Sequence, residues 1–122
     1  MKKTATITFH ASHNYGSMLQ AYALQQTLLS LGVENDILNF RTPRQKEVYR
    51  DPRNIPPIKG FQLKNRIKAV LGKILYKDNN EILGRKYDRF ENFITNQLKV
   101  TNEFESLDAP ASPVMDYDYY IA

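Results

Sequence analysis

Residues 4–40 read TATITFHASHNYGSMLQAYALQQTLLSLGVENDILNF, and the succession of patterns within this stretch decides the fold class. Thr4 to Phe9 is short, β-branched and aromatic, and it stops at a polar cluster, His10 to Gly16, rich in loop formers. That pattern predicts a strand running into a loop. From Ser17 the apolar spacing turns helical: Leu24, Leu28 and Leu31 lie at i, i+4 and i+7, Met18 and Tyr22 at i and i+4, and Gly32 offers a C-terminal stop. Val33 to Phe40 returns to extended character, with Ile37, Leu38 and Phe40 after the polar Glu34-Asn35-Asp36. Strand, helix and strand within about forty residues is the length of a right-handed βαβ crossover joining parallel strands.

Beyond this unit, Arg41 to Gly60 holds Pro43, Pro52, Pro56 and Pro57 and little periodicity, which predicts a long Pro-rich surface loop over 41–60. Leu63, Ile67, Val70, Leu71, Ile74 and Leu75 form an apolar stripe, with Lys64, Arg66, Lys68 and Lys73 on the remainder, the pattern of a basic amphipathic helix. Leu83, Tyr87, Phe90 and Ile94 repeat the helical spacing, Phe93 widens the face toward Leu98, and a third helix is predicted over Asn80 to Asn96. After Pro110 and Pro113, Met115 to Ala122 is aromatic and β-forming and predicts a buried closing strand. A buried strand at the last residue leads to the expectation of an incomplete domain. The order β, α, β, α, α, β favours an α/β fold: a Rossmann-like partial domain, 1–122, with a small parallel sheet flanked by helices.

A chain of 122 residues has room for one domain, and 42% hydrophobic with 25% charged residues is ordinary globular usage. Cysteine is absent, which excludes a disulfide framework and a thiolate metal site and makes the cytoplasm the expected compartment. Lys2 and Lys3 precede a segment too short and Thr-rich for a signal-peptide core, and no apolar run reaches membrane-spanning length. The net charge of +4 is unevenly spread: Arg41 to Lys77 holds eleven Lys or Arg against Glu47 and Asp51, while Thr101 to Ala122 holds five acids and no base. A basic stretch attracts polyanions, an anionic membrane surface at its inner face among them, although such a face is more often simply solvated. Tyr87, Phe90 and Phe93 sit on a helical stripe and not on a stacking sheet, so nucleic acid is not an expected partner.

The loop His10-Ala11-Ser12-His13-Asn14-Tyr15-Gly16 falls at the C-terminal end of the first strand and the start of the first helix, where open α/β sheets bind ligands. Free amides at a helix start, reinforced by the macrodipole, suit a phosphate or carboxylate; Gly16 permits close approach, and His10, His13 and Asn14 can add directed hydrogen bonds. The competing reading is that Asn14 or Ser17 only caps the helix and Gly16 only permits a turn. His10 and His13 have neither Cys nor a nearby carboxylate in sequence, so no metal is expected. Gly16 stands alone where a dinucleotide loop needs three glycines, and no nucleotide cofactor is expected either. Asp116 and Asp118 flank Tyr117 on one face of the closing strand; they look like an acid/base pair, but such residues more often end a strand.

Phe9-His10, followed by the run from Asn14 to Gln25, resembles the N-terminus of the polysaccharide pyruvyl transferase family. Leu31-Gly32 before Asn39-Phe40, Phe90-x-x-Phe93 and Asp118-Tyr119-Tyr120-Ile121 follow in the same order as in that family. The resemblance implies one half of a two-domain, glycosyltransferase-B-like architecture in which Rossmann-like domains face a cleft. It implies transfer of a pyruvyl group from phosphoenolpyruvate to a sugar hydroxyl as a ketal, in exopolysaccharide biosynthesis for the cell envelope. Phosphoenolpyruvate and a saccharide acceptor are the implied partners, with no resident cofactor. Asn14, Tyr15 and Gly16 match the family's loop motif, with His10, His13 and Ser17 beside them; no catalytic residue is assigned. Members are longer, continue past the closing strand into a Gly-Ser-Asp-Gln loop, and carry most donor-binding Arg and His residues in their C-terminal half. This chain by itself is therefore expected to lack a complete active site. Two alternatives stay open: a glycosyltransferase-like domain using a nucleotide sugar, and a non-catalytic module whose basic helix, Lys64 to Lys77, docks on an anionic membrane or polyanion.

Overall fold

The computed structural model describes residues 1–54, 77–106 and 117–122. Strand β1 is Lys3–Thr6, helix α1 Tyr15–Ser30, strand β2 Glu34–Ile37, helix α2 Pro43–Val48, helix α3 Lys77–Gln97 and strand β3 Tyr119–Ile121, with a 3-10 turn at Pro52–Asn54. They fall into two compact units, Met1–Tyr49 with Phe90–Ala122, and Arg50–Arg89. The basic stretch from Leu63 to Leu75, and Asp116, lie outside the described residues.

In the first unit the strands form an open parallel sheet in the order β2-β1-β3, with Thr4 opposite both Asn35 and Tyr119. The segment from Lys99 to Phe104 runs along the other edge of β2, held by parallel bridges at Ile37–Val100 and Phe40–Phe104. The chain is α/β, and this order is consistent with a partial Rossmann-like fold. It steps from β1 to β2 on one side and later to β3 on the other, which places a topological switch point between β1 and β3.

Side chains alternate across a strand, so Thr4, Thr6, Asn35 and Ile37 share one face and Ala5, Asp36 and Leu38 the other. The first face meets α1 and the end of α3 in a core of Met18, Ala21, Ile37, Phe90, Ile94 and Leu98. The second gathers Ala5, Leu38 and Phe104, with Phe40 and Tyr117 against them.

Several expectations are corrected. The inward line of α1 is Met18, Ala21 and Gln25, not Leu24, Leu28 and Leu31; Leu31 is 71% exposed. The reason is that the sheet face beneath α1 is polar. Asn35 Nδ2 donates to Thr4 Oγ1 and Thr6 Oγ1, both at 2.9 Å, and Gln25 serves backbone groups there. The Pro-rich loop contains α2, because Thr42 and Gln45 form a reciprocal capping box and Pro43 occupies the first turn, where its missing N–H costs nothing. Helix α3 buries Phe90, Ile94 and Leu98 as predicted, but Leu83 is exposed. In the Arg50–Arg89 unit the buried position among the described residues is Gly84, over which the Arg53 side chain lies on its way to Asp88 Oδ1 at 2.6 Å. Strand β3 forms, yet Tyr119 and Tyr120 are exposed, because β3 is an edge strand of the described sheet. Asp118 stands immediately before that strand: it accepts from Lys3 N at 2.9 Å and its own N–H donates to Lys3 O.

The polar trio Glu34-Asn35-Asp36 lies in β2, within the extended stretch expected from Val33 to Phe40, and Asp36 is buried. Burial alone would raise its pKa, but hydrogen bonds from Lys99 and Tyr117 and the charges of Lys99 and Lys3 outweigh it and hold the carboxyl below the ordinary range. A depressed folded pKa contributes stability that is present above the unfolded value and lost as pH falls through the folded one. Stability is therefore expected to fall with pH below about 4. Asp36→Asn should cost about 2 kcal/mol at neutral pH, the worth of hydrogen bonds to a charged group, and flatten that acid limb. Urea titrations across pH check both; an unchanged acid limb would remove Asp36 as its source.

Among the described residues no helix is long and apolar enough to cross a membrane.

Candidate functional site at the carboxyl end of the sheet

Strand pairing continues one residue past β1, where Ile7 N donates to Ile121 O at 2.8 Å, and the chain then turns as Ser12 N and Oγ both bond Phe9 O. His13 takes a left-handed conformation, φ 41°, a region that histidine enters more readily than most residues. This reversal delivers Asn14 in extended geometry as the N-cap of α1. Its Oδ1 accepts from Gly16 N at 2.8 Å and Ser17 N at 3.3 Å. The two amides expected to be free for an anion are thus taken by Asn14, and the capping alternative is the arrangement present. Gly16 permits a close approach of a different kind: a Cβ there would lie 3.2 Å from Asn14 Oδ1. Replacing Asn14 with Ala is expected to cost about 1 kcal/mol through the cap alone, and Asn14→Ser a few tenths at most. Urea denaturation of the pair measures it; equal stabilities would mean that the cap carries no weight.

His10 does not face solvent. It is 1% exposed, with Nδ1 3.2 Å from Thr8 O and Nε2 3.0 Å from Asn39 Oδ1. Burial lowers its pKa, the bonds to Asn39 and Thr8 oppose this, and the Arg41 charge acts with burial; the net position is below the ordinary imidazole value. His13 Nε2 lies 2.6 Å from Glu91 Oε1, and its ring stacks on Phe90 at 5.3 Å with Tyr49 at 5.5 Å. Glu91 also receives Arg41 Nη1 at 3.2 Å, while Arg41 Nε donates to Asn39 Oδ1 at 3.0 Å. The His13 hydrogen bond lowers the Glu91 pKa, burial opposes it, and the Arg41 charge helps keep it low. Around this core, Glu103 pairs with Arg41 and with Lys46, and Lys46 pairs with Glu105 at 2.6 Å.

His10, Asn39, Arg41, Glu91 and His13 therefore form one continuous chain of contacts. It ties the loop after β1, the residues after β2 and α3 together at the carboxyl end of the sheet. Tyr15 stands beside it, 65% exposed, its ring 4.9 Å from Phe90. Asn14, Tyr15 and Gly16 are exposed and Ser17 is half-buried, so these are the predicted site residues a ligand can touch. With Oδ1 committed to the helix, Asn14 has its Nδ2 donor to offer. Phe9 and Leu19 add exposed apolar surface.

Sequence reasoning missed Asn39, Arg41 and Glu91 as site residues. The first two follow β2 directly, at the carboxyl end of a parallel strand, and that position was the available signal. Glu91 meets His13 across 78 residues and has no local signal. Among the described residues no cluster of three His, Cys, Asp or Glu side chains is placed to hold a metal ion. No protein-family model, curated protein or solved structure matches the chain.

Proposed function

We propose that this chain forms the N-terminal, Rossmann-like lobe of a transferase that moves a pyruvyl group from phosphoenolpyruvate to a sugar hydroxyl, with a second lobe closing the cleft. The observation that carries the reading is the coincidence of motif and place: the run Asn14 to Gln25 begins at the turn between β1 and α1, at the carboxyl ends of parallel strands. Ketal formation needs the donor's enol ether protonated, the sugar hydroxyl deprotonated, and cations to hold phosphate and carboxylate. At this edge Arg41 is engaged by Glu91 and Glu103, and Lys46 by Glu103 and Glu105. The donor-holding cations are therefore assigned to the facing lobe, and this lobe, with Asn14 and Tyr15 at its rim, to the acceptor side. The work is cytoplasmic, at the inner face of the membrane where envelope polysaccharide precursors are built.

In the full-length gene product, Tyr15→Ala is expected to reduce pyruvyl transfer about tenfold or more, the size of one lost contact of roughly 1.4 kcal/mol. Asn14→Ser retains the cap and separates binding from folding. Undiminished transfer by Tyr15→Ala removes the site assignment. Calorimetric titration that finds nucleotide sugars bound and phosphoenolpyruvate not bound replaces the donor.

A further inference from the structure

We infer that Arg41 is a positioning residue that sets the tautomer of the buried His10 through Asn39. An asparagine amide can present either its oxygen or its nitrogen to a neighbour, and the neighbour's hydrogen bonds decide which. Arg41 has only donors, and its Nε lies 3.0 Å from Asn39 Oδ1. The amide oxygen is therefore held toward the guanidinium, and the same oxygen lies 3.0 Å from His10 Nε2. An acceptor at that distance requires a proton on Nε2. The other ring nitrogen also faces an acceptor, Thr8 O, but at the longer 3.2 Å. In the neutral ring one of the two nitrogens must face an oxygen with its lone pair, and the less costly choice is the more distant oxygen. His10 is therefore the Nε2–H form, with Nδ1 unprotonated toward Thr8.

Among the described residues, Arg41 is the group besides His10 that holds the Asn39 oxygen in place. Without Arg41 the amide turns, Asn39 Nδ2 donates to His10 Nε2, and the proton moves to Nδ1, where Thr8 O accepts it. Both ring nitrogens are then satisfied, so among the described residues it is that guanidinium that maintains the arrangement present with Arg41. Arg41 is itself kept in place by Glu91 at 3.2 Å and Glu103 at 3.6 Å. The cluster thus links an acid on α3 to a fully buried imidazole ring. The inference stands apart from the pyruvyl reading, since it concerns a proton position that either outcome of the transfer assay leaves open.

The test is long-range proton–nitrogen NMR of the imidazole rings in the uniformly labelled full chain near neutral pH. The chain has two histidines, so two ring patterns arise. His13→Asn, which tolerates the left-handed backbone, assigns them. The wild type is expected to show His10 protonated at Nε2, and Arg41→Met to switch it to Nδ1. Asn39→Leu, which removes the acceptor and leaves Arg41 its acids, is expected to give the same switch and serves if Arg41→Met does not fold. Arg53→Met, a guanidinium that pairs with Asp51 and Asp88 instead, should leave the His10 pattern unchanged. An Nδ1–H pattern in the wild type, or an unaltered pattern in the folded Arg41 or Asn39 variant, overturns the assignment.

Discussion

Gln25→Leu is expected to destabilise the fold by about 3 kcal/mol, although glutamine and leucine are close in size and both suit a helix. Gln25 is fully buried on the inward line of α1. Its Nε2 donates to Asn35 O at 3.2 Å and Lys99 O at 3.0 Å, and its Oε1 accepts from Lys99 N at 2.9 Å. One side chain thereby joins β2 to the segment that runs along its edge. Lys99 O keeps another donor, Ile37 N, whereas the bond described for Lys99 N is the one to Gln25 Oε1. A leucine there leaves that part-buried donor without its side-chain acceptor, which costs about 1–3 kcal/mol, and removes two further bonds of about 1 kcal/mol each, partly offset by apolar burial. Gln25→Glu should be worse at neutral pH, because one carboxylate oxygen would face two carbonyls away from water. Its deficit should shrink as pH falls, since a protonated carboxyl can donate to those carbonyls. Urea denaturation orders the three proteins. A leucine variant within about 0.5 kcal/mol of the wild type, the range of an ordinary surface change, would show that the amide does not join the strands.

That glutamine also marks where reading the sequence stops. The β-α-β order was legible because the local chemistry changes sharply twice: β-branched residues give way to loop formers at His10, and helical spacing stops at Gly32. Which side of α1 faces inward was not legible. Apolar spacing assumes an apolar floor, whereas the floor here is Thr4, Thr6 and Asn35. The second strand, by contrast, falls within the extended stretch read from Val33 to Phe40, polar residues included. Helix α2 was within reach, since Thr42-Pro43-x-Gln45 is a helix start in its own right, but the surrounding prolines were weighted as loop formers. In β3 the aromatic residues identified a strand correctly and its burial wrongly. Propensity speaks for local conformation, and an edge position is decided by what lies alongside.

The loop was located by topology, while the roles of its residues were set by contacts no local pattern reveals. Motif residues read separately turn out to be partners: His10 with Asn39, Tyr15 with Phe90, Tyr22 with Phe93. Much of the motif therefore fixes the turn and seats the helix. Tyr15 is the member whose exposure needs another explanation, and the assay on that side chain consequently tests function more directly than one on Asn14 or Gly16.

Phe90 joins these two levels, and its truncation is expected to have the largest effect in the molecule. The ring is buried among Met18, Ala21 and Ile37, and it also carries the stacked ring of His13 and the tilted ring of Tyr15. Phe90→Ala should cost about 3–5 kcal/mol, the range for emptying an aromatic position in a core. Against a total of about 5–15 kcal/mol for an ordinary domain, this brings the first unit close to unfolding. Phe90→Leu is the more informative variant. It keeps most of the buried volume and should cost about 1.5 kcal/mol, but it removes the aromatic surface under His13 and Tyr15. His13 then keeps its contacts with Glu91 and Tyr49 but loses the stacked ring beneath it, on a left-handed backbone that is itself costly. Amide hydrogen exchange should accordingly quicken from His10 to Gly16 and stay unchanged in the second half of α1, which rests on Ala21 and Gln25. Were the loop amides of Phe90→Leu to exchange as slowly as in the wild type, the His13–Glu91 hydrogen bond and not the stacked rings would be what fixes the loop. Glu91→Gln would then be the substitution that loosens it.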